Sequence, residues 1–170
     1  ERIAAMGADP KYIYPNTDAG KAELIGKLNE QMGAMQARLP NAFGRLPKAG
    51  AEIKRVPPAV EQGAPMGYYN GPSLDGSRPG IYWINLKDTA DWPSWTLPTL
   101  TYHEASPGHH LQIALQQESP SAPKLMNLFF FSAYGEGWGL YAEQLADELG
   151  AYQDDPAGQI GYLQSLMFRA

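Results

Sequence analysis

Apolar residues recur at three- and four-residue intervals at Leu24, Leu28, Met32, Met35 and Leu39, the spacing of one helical face. With Thr17 placed to cap and Pro40 placed to stop it, a helix is predicted over residues 17–39. Gly20, Gly26 and Gly33 weaken that helix intrinsically, so tertiary contacts through the apolar stripe must hold it. Between residues 50 and 95 the pattern shortens to β-like runs, "AEIKRVP", "MGYYN" and "GIYWINL", separated by turns such as "GPSLDGSRPG". These predict a small antiparallel sheet, and the apolar run at residues 81–86 suits a strand covered on both faces. Helical spacing then returns over residues 97–118. After the turn "SPSAP" a second helix is expected from about residue 124 to residue 149, where Gly150 follows as its C-cap. A further helix is expected to start at Asp155-Pro156, a capping residue followed by proline at the first helical position.

The expected fold class is α+β, predominantly α. A helical lead-in (residues 1–49), a small β region (50–96) and a helical region with the chemistry (97–170) are expected to form one fragment of a larger catalytic domain. The opening "ERIAAMGADP" has neither an initiator Met nor a signal-peptide pattern, and "LQSLMFRA" closes inside a helical pattern. At 170 residues, 44% hydrophobic and 18% charged, the composition is globular. A net charge of −5 without a basic face argues against nucleic acid as a partner. With no cysteine, thiolate chemistry is excluded and any metal site must use His and carboxylates. The run "LFFFSAY" is far short of the roughly 18 residues that span a bilayer, so no membrane span is expected.

All three histidines lie within "YHEASPGHHLQ", residues 102–112. In a helical His-Glu-x-x-His, two imidazoles one turn apart share a zinc ion and the Glu acts as general base. Here His103 and Glu104 supply the first pair, but the residue four beyond His103 is Pro107. On an unbroken helix His110 would lie only about 20° from His103 in projection but roughly 10 Å along the axis, too far for one metal. Pro107 lacks the N–H that would bond the His103 carbonyl, and Gly108 is free to adopt unusual angles, so a kink is expected to close the distance. Leu111, Ala114 and Leu115 mark the buried face, which favours His110 as the ligand and leaves His109 to support the metal or a developing oxyanion. The plain alternative is a helix start, with Ser106 as cap, Pro107 at the first position and surface histidines.

Zinc held by two His requires a third protein ligand if one position is to remain for water. Glu136 is the leading candidate, because Gly135, Gly137 and Gly139 surround it and close helix approach is the simplest reason for such a cluster. Glu143, seven residues on, is an alternative ligand or a partner for the outer nitrogen of a ligating His, although it also suits a surface acid, as do Asp147 and Glu148. Tyr68, Tyr69, Tyr141 and His109 are candidates to steady an oxyanion. Arg78 is placed to bind a substrate carboxylate, although a plain turn role is equally compatible.

"YHEASPGHHLQ", "EGWGLYAEQLADELG", "DGSRPGIYWINL" and "LMFRA" together resemble the bacterial domain of unknown function 885, grouped with zincin-like, gluzincin-type metallopeptidases. The resemblance spans the chain from about residue 53 onward. It implies a helical catalytic region with a small sheet, within a longer protein, and zinc as the metal. The motif's His-Glu falls on His103 and Glu104, its Gly-His-His on Gly108, His109 and His110, and its Glu-Gly-Trp on Glu136, Gly137 and Trp138. The function expected is zinc-dependent hydrolysis of a peptide or small amide substrate, with Glu104 as base. Exported lipoproteins in the family imply an extracytoplasmic location. Two other readings predict different behaviour: a zinc-stabilised scaffold has no need of Glu104, and a metal-free helical interaction module has no need of the histidines.

Overall fold

The computed structural model describes residues 1–127 and 129–169. A short helix α1 (Arg2–Gly7) leads into α2 (Asp18–Gln36). The Thr17 hydroxyl accepts the Gly20 N–H at 3.1 Å and so caps α2 as expected. Leu24, Leu28, Met32 and Met35 are buried along one side of it, and Leu39 follows in a 3-10 turn. Thr17→Ala is expected to lower stability by about 1 kcal/mol, since one N-terminal N–H loses its acceptor. A chemical denaturation curve checks this, and an unchanged midpoint would mean that the cap contributes nothing.

Three strands follow: β1 (Ala51–Arg55), β2 (Gly67–Asn70) and β3 (Gly80–Ile84). The sheet is mixed, in the order β1-β3-β2, which corrects the antiparallel expectation. β2 and β3 pair antiparallel as adjacent strands, but β1 pairs parallel to β3, with Ile53 opposite Tyr82. β3 is central because Gly80, Ile81, Tyr82 and Ile84 are buried and need cover on both faces. The long link between β1 and β3 allows the parallel pairing that a tight hairpin forbids.

The helical half comprises α3 (Leu97–Glu104), α4 (His109–Glu118), α5 (Ser132–Glu148) and α6 (Pro156–Arg169). Asp155 caps α6 by accepting the Gly158 N–H at 2.9 Å, and Gly150 ends the α5 region with φ +78°. The helix expected from residue 124 begins only at Ser132. A 3-10 turn occupies Lys124–Asn127, Leu128 lies outside the described residues, and Phe131 is extended, with Phe129, Phe130 and Phe131 more than half exposed. Three consecutive aromatics offer no single buried stripe and so nothing to hold a helical turn against the body.

Two apolar clusters organise the core. One joins α2 to the sheet through Leu24, Leu28, Ile53, Tyr82 and Ile84; the other joins Met35, Tyr102, Leu111, Ala146 and Tyr162. α3 and its C-cap contribute to both, with Leu97 and the C-cap Ala105 in the first and Tyr102 in the second, and α3 packs against α2, α5 and α6. Its last turn, carrying His103 and Glu104, is therefore anchored by the core on several sides.

Candidate metal centre

α3 stops at Glu104 and α4 starts at His109, with the break expected of Pro107 between them. Across the break the His110 N–H bonds back to the Ala105 carbonyl (3.0 Å), five residues earlier, and the Trp138 indole N–H holds the Pro107 carbonyl (2.9 Å). Gly108 has φ −76° and ψ −130°, so a left-handed backbone is not what requires glycine here. A Cβ there would run into the carbonyl of His103, so glycine is needed for close approach of the two helix ends.

The break reverses the expected order of the histidine pair. His110 faces the sheet: its Nε2–H donates to the Ala49 carbonyl (3.1 Å), and its Nδ1 accepts the Tyr69 hydroxyl (2.7 Å). Both ring nitrogens are thus taken, and burial, against that bond to Ala49, lowers its pKa and keeps the ring neutral. The His109 ring instead stands edge-on to His103, with centroids 4.8 Å apart. Nitrogens of His103 and His109 and an oxygen of Glu104 all lie within 4.8 Å of one another. His109 Nε2 is 4.0 Å from Glu104 Oε2 and 3.9 Å from Glu136 Oε1, while His103 Nε2 is 3.3 Å from Glu136 Oε2.

Glu143 is fully buried, not a surface acid. It accepts His103 Nδ1–H (2.8 Å) and the hydroxyls of Thr99 (2.7 Å) and Ser165 (2.9 Å), and it pairs with the Arg169 guanidinium. Because a carboxylate only accepts, His103 carries a proton on Nδ1 and its Nε2 is directed at Glu136. A second ring proton, or a cation shared with the carboxylate, makes that contact favourable. Burial opposes a charge on His103, but the Glu143 hydrogen bond and the nearby carboxylates outweigh it and raise its pKa. His109 is pulled down to about 4 by burial and by His103, so at neutral pH it offers a lone pair. Burial, opposed by His103 and reinforced by Glu136, pushes Glu104 up to about 7. Two imidazoles, one carboxylate and an adjacent second carboxylate make a donor set that fits zinc.

The glycines beside Glu136 have separate reasons. A Cβ on Gly139 would lie 2.5 Å from the His103 ring, which confirms close approach there, whereas Gly135 makes room for Phe130 and Gly137 faces open space. Gly139→Ala is expected to destabilise the protein by about 1–3 kcal/mol through overpacking, despite the roughly 1 kcal/mol that alanine adds in helix propensity. Urea denaturation reads this, and stability equal to the parent would mean that His103 has room to move.

The other candidates do not converge on this cluster. The Tyr69 hydroxyl is committed to His110, and burial raises its pKa well above the ordinary value. Tyr68 stacks on Trp83, and half-exposed Tyr141 stands edge-on to Trp138. The Arg78 guanidinium donates to the carbonyls of Gly71 (2.7 Å) and Pro79 (3.0 Å) within its own loop. Sequence reasoning missed Thr99 and Ser165 as holders of Glu143; hydroxyls carry no spacing signal that could have found them. Arg169 stood only within the "LMFRA" resemblance.

The chain matches the family described as "Bacterial protein of unknown function (DUF885)" over residues 1–170. It is 45% identical to a Colwellia psychrerythraea protein of known crystal structure, described as a "putative lipoprotein", with a TM-score of 0.94. That likeness covers 99% of this chain and 29% of the other, so the chain spans less than a third of its structural relative. No curated protein matches. Matched along its whole length, the chain belongs to the DUF885 family of bacterial proteins.

Proposed function

We propose that this chain carries the metal centre of a zinc-dependent hydrolase acting on peptide or small amide bonds. The observation that carries the proposal is the convergence of His103 Nε2 and His109 Nε2 on the Glu136 carboxylate, 3.3 and 3.9 Å away, with Glu104 beside them. His103, His109 and Glu136 would hold the ion, and His110 would not. When bound, zinc supplies acidification of water and polarisation of a carbonyl. Glu104, mostly buried and with its pKa pushed up to about 7 by that burial, takes a proton on its carboxylate and returns it to the leaving amine. Glu143 holds the His103 ring so that Nε2 keeps its direction. The oxyanion role considered for His109 passes to no residue in this cluster.

A purely structural zinc site is normally closed by four protein ligands. Here the Glu136 side chain is 52% exposed, which supports an opening to substrate over a scaffold role. The relative's description as a "putative lipoprotein" supports an extracytoplasmic setting. Among the described residues no helix is long and apolar enough to cross a membrane.

The test is zinc content of the full-length protein beside its alanine variants, together with hydrolysis of a mixed peptide library before and after chelation. The expected result is near-stoichiometric zinc, lost in His109→Ala and Glu136→Ala but kept in His110→Ala, and hydrolysis that stops with chelator and returns with zinc. Absence of zinc from the folded full-length protein, or hydrolysis indifferent to chelator, would overturn the reading.

A further inference from the structure

His109 directs Nε2 toward the Glu104 and Glu136 carboxylates, so a neutral ring that gives Nε2 to a metal carries its proton on Nδ1. That Nδ1 is buried and has no hydrogen-bond partner among the described residues. The contrast with His103 is direct, because His103 Nδ1–H is held by Glu143 at 2.8 Å. Ligating imidazoles generally donate this outer N–H to an acceptor, which fixes the tautomer and the ring plane.

One turn further along α4 is an acceptor in the complementary condition. Gln112 is only 8% exposed, and its Oε1 is buried without a partner among the described residues. Its other end is already committed: Gln112 Nε2 donates to Gln116 Oε1 (3.2 Å), and Gln116 Nε2 donates to the Met126 carbonyl (2.7 Å). That chain of amides identifies the carbonyl oxygen as the free end of Gln112. Residues three apart on a helix have Cβ atoms about 5–6 Å apart, within reach of a glutamine and an imidazole. Phe130 places them in one neighbourhood, since its ring stands 5.9 Å from that of His109 and shares with Gln112 the wall of a cavity of about 120 Å³.

We propose that Gln112 is a positioning residue of the metal centre, its Oε1 accepting the Nδ1–H of His109 when Nε2 binds the ion. Gln112 then does for His109 what Glu143 does for His103. The two atoms are not paired in the structure; both residues stand on one helix, so the proposed bond calls for rotation of their side chains. Leaving a buried donor and a buried acceptor unmatched is costly, and one bond removes both penalties. The inference rests on the zinc reading above.

Zinc affinity of the full-length protein, measured by competition with a chromophoric chelator, tests it in Gln112→Met and Gln112→Glu, together with melting of the chelated proteins. Methionine keeps the length and loses the acceptor; glutamate keeps the acceptor. Gln112→Met is expected to weaken zinc binding about 10- to 100-fold. Gln112→Glu is expected to restore parental affinity, while both chelated variants melt with the parent. Parental affinity in Gln112→Met, or a loss in Gln112→Glu equal to that in Gln112→Met, overturns the proposal while leaving the zinc reading intact. A full-length parent that takes up no zinc removes both, and that outcome is read before any variant is made.

Discussion

Glu104→Gln is expected to lower kcat/KM for peptide hydrolysis by about 10²- to 10⁴-fold while zinc content stays at the parental level. The substitution is nearly isosteric and removes only the ability to take a proton. Glu104 ends α3 with its side chain mostly buried, and its carboxylate lies 4.0 Å from His109 Nε2, beside the metal position and outside the proposed ligand set. A loss of this size corresponds to about 3–5 kcal/mol on the barrier, the contribution expected of one positioned general base. The measurement is steady-state hydrolysis alongside metal analysis of the same preparations. Undiminished turnover would remove Glu104 as the base; lost zinc would make it a ligand. This result also separates the hydrolase from the scaffold, since a structural site has no use for a proton acceptor beside the ion.

Much of the architecture was legible because it follows from periodicity. The α2 stripe, its Thr17 cap, the buried β3 run, the Asp155 cap and the break at Pro107 all lie where the sequence placed them. The choice between His109 and His110 was not legible, for a definite physical reason. On one continuous helix His109 would stand about 240° around from His103, on the far side, and His110 nearly in line. The break at residues 105–108 restarts the helical phase, so projection across it has no meaning, and the buried face of α4 does not report which imidazole returns to α3. Both histidines are buried, one hydrogen-bonded to Tyr69 of β2 and to the Ala49 carbonyl and one in the cluster. Strand pairing was hidden for a related reason: residue pattern gives faces, whereas the direction in which β1 meets β3 depends on the path of the link between them.

Glu143→Ala is expected to destabilise the full-length protein by about 3–5 kcal/mol and to weaken zinc binding about 10- to 100-fold. The carboxylate is fully buried and is the shared acceptor for His103, Thr99, Ser165 and Arg169, so its removal strands donors from α3 and α6 at once. The zinc effect follows because His103 loses what directs Nε2, and the stability effect because an arginine held against a buried carboxylate loses its counter-charge. Acid should produce part of the same loss in the parent. Burial alone would raise the Glu143 pKa, but the hydrogen bonds from His103 and Thr99 and the Arg169 charge outweigh it and hold the group below its ordinary value of 4.5. A carboxyl whose folded pKa is depressed contributes stability that is fully present above the unfolded value and disappears as pH falls through the folded one. Urea denaturation of the parent and of Glu143→Ala from neutral pH down through the acid range should therefore show the gap between them narrowing as Glu143 protonates. A gap that is small at neutral pH would mean that the bonds converging on Glu143 contribute little to stability. A gap that does not change with acid would mean that the lost stability comes from packing around the Glu143 side chain and not from its charge.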